Sequence, residues 1–188
     1  ERLADRAHIT LEVNQDPRAA EKAETRTLLL KIHDELAHHW HRLLLKDPQG
    51  EKGRAYLKER GVSEEAVKKF QLGYAPLTWD GTLRWSRSRK HDPKLLEQAG
   101  LVIRKEEGND YYDRFRGRLM FPINDVQGRP IGFSGRIIEG DASKGAKYVN
   151  SPETLLFKKG QVIYGLDKAK RAILDAKSAV ICEGQLDL

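Results

Sequence analysis

The stretch GRLMFPINDVQGRPIGFSGRII, residues 117–138, changes the rhythm of the chain. Leu119, Phe121 and Ile123 alternate with other residues, and so do Ile131 and Phe133, which is the period of a strand. Between the two runs, Asp125 to Gly128 supplies turn residues. The pattern predicts two antiparallel strands joined by a tight connection. Gly132 and Gly135 flank Phe133 and Ser134. Glycine inside a strand marks either a bulge or the close approach of another group. No helical pattern follows, so these glycines are not a dinucleotide fingerprint.

Working toward the N-terminus, the period becomes helical. DPRAAEKAETRTLLLKIHDELAHHWHRLLLKDP, residues 16–48, predicts one long helix. Asp16 suits its cap and Pro17 its first turn. Leu29, Ile32, Leu36, Trp40 and Leu43 form one apolar stripe. Residues 51–76 predict helix, turn, helix, with Gly61 at a left-handed stop and Ser63 capping the second helix. Beyond Trp79 come a basic stretch, a short helix ending at Gly100 and a polar hairpin tip at Gly108. Toward the C-terminus, Ser151 suits a turn cap. QVIYG (161–165) predicts a strand, LDKAKRAILDAK (166–177) a helix and SAVICEG (178–184) a strand buried on both faces. The expected fold class is α+β, a small central sheet preceded by a long helix. The expected domains are residues 1–50, 51–177 and 178–188.

The chain of 188 residues is 33 % charged and carries a formal net charge of +6. A basic balance suits an anionic partner such as nucleic acid or nucleotides. Cys182 is the only cysteine, which excludes a disulfide framework and a cysteine zinc site. No apolar run is long enough for a membrane span, no signal-peptide pattern opens the chain, and a cytoplasmic location is expected. There is no initiator Met, so the sequence is expected to be an excised piece.

Several stretches carry chemistry. Arg114, Arg116 and Arg118 alternate, so on a strand they share one face. Such a row suits either an anion, because the guanidinium fork matches phosphate, or a solvated edge guarded by charge. Arg136 follows the glycine pair. Lys147, Tyr148, Asn150, Lys158 and Lys159 combine charge, a stacking face and an amide, as a surface for single-stranded nucleic acid would; an ordinary polar loop has the same composition. His33, His38, His39 and His41 lie in one helix without a metal-binding spacing, which suits a solvated face. Glu183 and Asp187, in CEGQLD, suit either an oxygen-rich Mg²⁺ site or the start of a helix.

Four of these stretches agree in order and spacing with one family. GRAYLKERGVSEEAVKKFQLGYAP (53–76), DRFRGRLMFPINDVQGRPIGFSGRII (113–138), KYVNSPETLLFKKGQVIYGL (147–166) and VICEGQLD (180–187) resemble the catalytic core of bacterial replicative DNA primases of the DnaG type. The resemblance implies synthesis of short RNA primers on single-stranded DNA from ribonucleoside triphosphates. It implies a basic N-terminal subdomain of the core, followed by a Toprim fold that begins at residues 178–188. Glu183 and Asp187 would be catalytic and would hold part of a Mg²⁺ or Mn²⁺ site, with the remaining acids farther along a longer chain. Arg114, Arg116, Arg118, Arg136, Lys147, Tyr148, Asn150 and Lys159 would line the template or nucleotide path. A zinc-binding N-terminal domain and a C-terminal domain for the replicative helicase would lie outside this sequence. The segment itself is expected to be inactive, to bind no cofactor and to contact no membrane. The usual motif reads EGYMD, where this chain has EGQLD, and Ala146 stands where the family has Pro. The rival reading is a single-stranded nucleic-acid-binding module of a Toprim nuclease or mobile-element protein. A third is a protein-interaction domain that docks through the long helix.

Overall fold

The computed structural model describes residues 17–108, 110–140 and 146–187. Along the chain run helix α1 (Pro17–Lys46), a 3₁₀ turn (Pro48–Gly50), α2 (Glu51–Glu59), α3 (Glu64–Lys69), strand β1 (Gly73–Ala75), α4 (Gly81–Ser88) and α5 (Pro93–Gln98). Then come β2 (Val102–Arg104), β3 (Tyr111–Asp113), β4 (Arg118–Asn124), β5 (Pro130–Ile137), β6 (Tyr148–Asn150), a second 3₁₀ turn (Lys159–Gln161) and α6 (Leu166–Ala176). The fold is mixed α+β, as expected.

The expected hairpin is the centre of the molecule. β4 and β5 pair antiparallel, within a sheet of order β1-β4-β5-β6. Their turn is tied by the Asp125 carboxylate, which accepts from the Gln127 and Arg129 amides at 3.0 Å each. β2 and β3 form a separate two-stranded hairpin.

Residues directly opposite in an antiparallel pair share a face. Met120, Gly135 and Val149 therefore lie on one face of the sheet, with Arg118 and Ile137. Leu119, Arg136 and Tyr148 lie on the other, with Phe121, Ser134 and Asn150.

Helix α1 packs across the first face. Leu29, Ile32, Leu36 and Trp40 are buried in one cluster with Phe115, Met120 and Phe133. The Trp40 ring meets Phe133 edge-on at 4.9 Å. A Cβ on Gly73 would come within 2.8 Å of Trp40 Cβ, so glycine there lets helix and strand approach. Truncation of Trp40 to Ala removes about 3–5 kcal/mol. The interaction reading of this helix loses its apolar stripe, which already faces the protein's own sheet.

Helices α2 and α3 cover the second face, where Leu57, Val67, Leu72, Tyr74, Leu119 and Phe121 cluster with Leu44 from the end of α1. Gly61 (φ +68°) stops α2, and Ser63 caps α3 by accepting from the Ala66 amide at 3.1 Å. Both match the sequence expectation. The Asp16 cap lies outside the described residues.

Four local expectations need correction. Residues 161–165 form no strand: Gln161 ends a 3₁₀ turn, Val162 and Tyr164 pack inward, and Ile163 is exposed. The alternation is present, but no neighbouring strand takes up the backbone. Residues 178–187 likewise form no strand, and Val180 and Ile181 are 99 % and 86 % exposed. A strand buried on both faces needs partners on both sides, and none of the described strands pairs with it. Ser151 caps no helical turn; its buried hydroxyl accepts from the Phe133 amide at 2.9 Å, tying β5 to the end of β6. His33 is fully buried, not on a solvated face, and its ring stacks on Phe133 at 5.5 Å. Its Nδ1 faces the Leu29 carbonyl at 2.8 Å. A carbonyl only accepts, so the proton sits on Nδ1. Burial lowers the His33 pKa to about 4.

Candidate nucleic-acid interface

The three alternating arginines do not share a strand. Only Arg118 belongs to β4, because Gly117 breaks the extended run at φ +60°. All three nevertheless line one cavity of about 710 Å³, together with Leu77, Trp79, Tyr112 and Glu139.

Each guanidinium is held differently. Arg116 lies over the Trp79 ring at 4.2 Å and the Tyr112 ring at 5.4 Å, and donates to the Asp113 carbonyl. Arg114 is half-buried, and its Nε has no hydrogen-bond partner among the described residues. Burial draws the pKa of Arg114 below the ordinary arginine value. Arg118 is only 7 % exposed and spends its fork on backbone, donating to the carbonyls of Gly135 at 2.9 Å and Ala146 at 3.1 Å. It braces the sheet edge and adds charge to the cavity wall.

The Asp113 carboxylate fixes the cavity rim. It accepts from the Thr82 amide at 2.6 Å and the Leu83 amide at 3.2 Å, capping α4 from far along the chain. That cap positions Trp79, whose carbonyl accepts from the Asp113 amide at 2.9 Å. Desolvation raises the Asp113 pKa.

Arg136 stands on the opposite face of β5. It lies over the Tyr56 ring at 5.0 Å and the Tyr148 ring at 5.3 Å, and donates to the Tyr148 hydroxyl at 2.9 Å. Arg136 Nε and the Tyr56 hydroxyl are buried without a partner among the described residues. Asn150 shares this face of β6 and is exposed. Lys147 is exposed at the start of β6. Lys159 is exposed too, and its amide donates to Glu153 at 2.8 Å. The predicted residues thus form no single row: Arg136, Tyr148 and Asn150 share the second face of the sheet, and neither they nor Lys147 and Lys159 line the arginine cavity.

Some arginines elsewhere meet acids, Arg84 with Asp80 at 2.9 Å, Arg129 with Asp125 at 2.7 Å and Arg171 with Asp175 at 3.0 Å, while Arg54 donates, among the described residues, only to the carbonyls of Leu44 and Asp47. Arg114, Arg116, Arg118 and Arg136 form no ion pair with a carboxylate among the described residues. Guanidiniums gathered beside aromatic rings without internal counter-ions suit an external polyanion.

Glu183 and Asp187 are both exposed. The chain turns between them: the Asp187 amide donates to the Gly184 carbonyl at 3.1 Å, and Leu186 packs on the second-face cluster. No group of three or more His, Cys, Asp or Glu is placed to hold a metal among the described residues. The helical histidines make other bonds, His41 Nδ1 meeting the Leu72 carbonyl at 2.6 Å.

The sequence did not single out Trp79, Tyr112 or Tyr56. Trp79 and Tyr56 each meet their arginine across a long stretch of chain, and Tyr112 turns toward Arg116 only because the chain bends at the end of β3. No local spacing announces these meetings.

Comparison with known proteins identifies the family. The family model described as "DNA primase catalytic core, N-terminal domain" matches residues 40–170. The chain belongs to that family. A DNA primase of Synechococcus elongatus is 42 % identical over 181 residues, covering 95 % of this chain and 26 % of the relative. This primase-core chain therefore spans about a quarter of that relative's length. The RNA polymerase domain of Mycobacterium tuberculosis primase DnaG, solved in complex with double-stranded DNA, superposes with a TM-score of 0.77 at 38 % identity. The match covers 85 % of this chain and 49 % of that one. A DnaG primase catalytic domain solved bound to single-stranded DNA gives a TM-score of 0.71 at 38 % identity, over 80 % of this chain and 45 % of that one.

Proposed function

We propose that this chain is the N-terminal part of a DNA primase catalytic core and that its basic surface guides the single-stranded DNA template. The whole enzyme is then a DNA-directed RNA polymerase, a nucleotidyltransferase that makes short RNA primers from ribonucleoside triphosphates for replication. The observation that carries this is the cavity lined by Arg114, Arg116 and Arg118 beside Trp79 and Tyr112, with none of the three paired to a carboxylate among the described residues, together with Arg136 over Tyr56 and Tyr148. The relative solved on single-stranded DNA supports the choice of polyanion. The relatives reported above do not favour the nuclease or mobile-element alternative.

Under this proposal Arg114 and Arg116 meet phosphates, Arg118 lends them charge, and Tyr148 with Arg136 and Asn150 meets bases or a nucleotide. Lys147, at the start of β6, and Lys159 add exposed cations for template or nucleotide phosphates. Residues 51–177 form the basic subdomain, preceded by an N-terminal segment (1–50), and residues 178–188 lead into a Toprim domain. No helix among the described residues is long and apolar enough to cross a membrane.

The chemistry of Glu183 and Asp187 fits part of a Mg²⁺ or Mn²⁺ site, since such ions take few carboxylates plus water and phosphate oxygens. Two exposed acids do not fill one. Bound there, the metal would supply positive charge against substrate phosphates. Zinc in a separate N-terminal domain and a replicative helicase bound through a C-terminal domain belong to the same proposal, and so does a cytoplasmic location.

The test is fluorescence anisotropy of a labelled single-stranded oligonucleotide titrated with this chain across NaCl concentrations. Neutralising four to six phosphates predicts a log–log slope of about −3 to −4. A flat salt response overturns the proposal. In a longer chain, Glu183→Gln should abolish primer synthesis and leave template binding unchanged.

A further inference from the structure

Among the described residues, the arginine cavity has one acid in its lining, Glu139. Glu139 follows β5 closely, and its amide donates to the Gly117 carbonyl at 3.0 Å. Gly117 is the residue between Arg116 and Arg118, so the Glu139 backbone sits against the arginine run. A Cβ at Gly117 would fall 2.5 Å from the Glu139 carbonyl oxygen, which shows how close the two segments lie. A carboxylate rooted there would neutralise part of the cavity's charge if it paired with a neighbouring guanidinium.

It does not do so. Glu139 also lines a second depression of about 300 Å³, shared with Lys52 and Tyr74, and its carboxylate is engaged there. Lys52 Nζ donates to Oε1 at 2.6 Å, and the Tyr74 hydroxyl donates to Oε2 at 2.5 Å. Each oxygen has its own donor, so turning the carboxylate toward the arginines breaks both bonds. Tyr74 is a fixed post, because its ring is buried in the second-face cluster. The Lys52 and Tyr74 bonds hold the Glu139 carboxyl below the usual range, which keeps it ionised at neutral pH.

We propose that Lys52 and Tyr74 are positioning residues for the arginine cavity, clamping Glu139 so that its charge cannot neutralise Arg114, Arg116 and Arg118. This inference rests on the nucleic-acid reading of the cavity and adds a control to it. Without the clamp, the acid swings into the cavity and competes with phosphate for the same guanidiniums.

The experiment measures single-stranded oligonucleotide binding across salt for Tyr74→Phe, Lys52→Met, and each combined with Glu139→Gln. Thermal denaturation checks that every variant is folded. Tyr74→Phe changes no charge, yet should weaken binding about fivefold near 0.1 M salt and flatten the log–log slope by about 0.7, as expected when one guanidinium no longer neutralises a phosphate. Lys52→Met should do the same or more. Adding Glu139→Gln should restore wild-type affinity and slope in both backgrounds. If Lys52 only met phosphate itself, the Lys52→Met/Glu139→Gln pair would stay weak, and the inference fails. Wild-type behaviour of Tyr74→Phe also overturns it. Should Tyr74→Phe unfold, the Lys52 pair decides alone. Arg116→Ala separates the two levels: if that change leaves binding intact, the nucleic-acid reading itself falls, whatever the clamp variants do.

Discussion

The two faces of the central sheet hold their arginines in opposite ways. On the face under α1, Arg114 and Arg116 open into a cavity with aromatic rings at its border. On the face under α2 and α3, Arg136 is closed between two tyrosines. Arg116 also lies over two rings, so the contrast is one of number: three guanidiniums share the cavity, while Arg136 stands alone with its tyrosines. Under the proposed function the first face answers charge and the second answers flat, aromatic ligands.

The packing beneath the two faces differs as well, and pH separates them with the largest effect. His33 lies under the first face with its pKa lowered to about 4, against an ordinary 6.5. A depressed folded pKa means that its contribution is complete above pH 6.5 and is lost as pH falls toward 4. One proton taken up on unfolding across that window lowers stability by about 3 kcal/mol. Glu139, bonded to Tyr74 of the second-face cluster, is also depressed, but from an ordinary value of 4.5. Its contribution therefore persists down to that pH and is lost only below it. Urea denaturation between about pH 7 and pH 5 should show a falling midpoint in the native chain and a flatter one in His33→Gln. Equal slopes in the two proteins would erase this distinction.

A smaller effect tests the charge side. Arg114→Ala with Arg116→Ala leaves two phosphates without their cations, so binding near 0.1 M salt should weaken about 25-fold and the salt slope should drop by about 1.4. Salt-titrated anisotropy reads both quantities. The smallest effect tests the stacking side. Tyr148→Ala should lose about 1 kcal/mol of binding, roughly fivefold, with the slope unchanged. A Tyr148 variant that changes slope as the arginine pair does would merge the two faces into one electrostatic surface.

Much of this was legible because it is local. The β4–β5 hairpin, its Asp125–Gly128 turn, the Gly61 stop and the Ser63 cap each depend on residues a few positions apart. What failed depends on distance. Residues 161–165 and 178–184 have strand composition, but a strand exists only beside another strand. The arginine row was read as one strand face. Gly117 breaks it, and the cavity is assembled by Trp79 and Tyr112 from outside the row. Composition placed His33 in water, and the α1 packing places it against Phe133. The split of Arg136 from the other arginines follows from register, which alternation alone carries but which needs the pairing partner to be known.

The outermost strand has a consequence for handling the protein. β6 is three residues long and begins beside exposed Lys147. A border so brief, with a cation at its start, gives a second copy little backbone to dock on. This border should therefore not seed cross-β fibres, even in low-salt buffers.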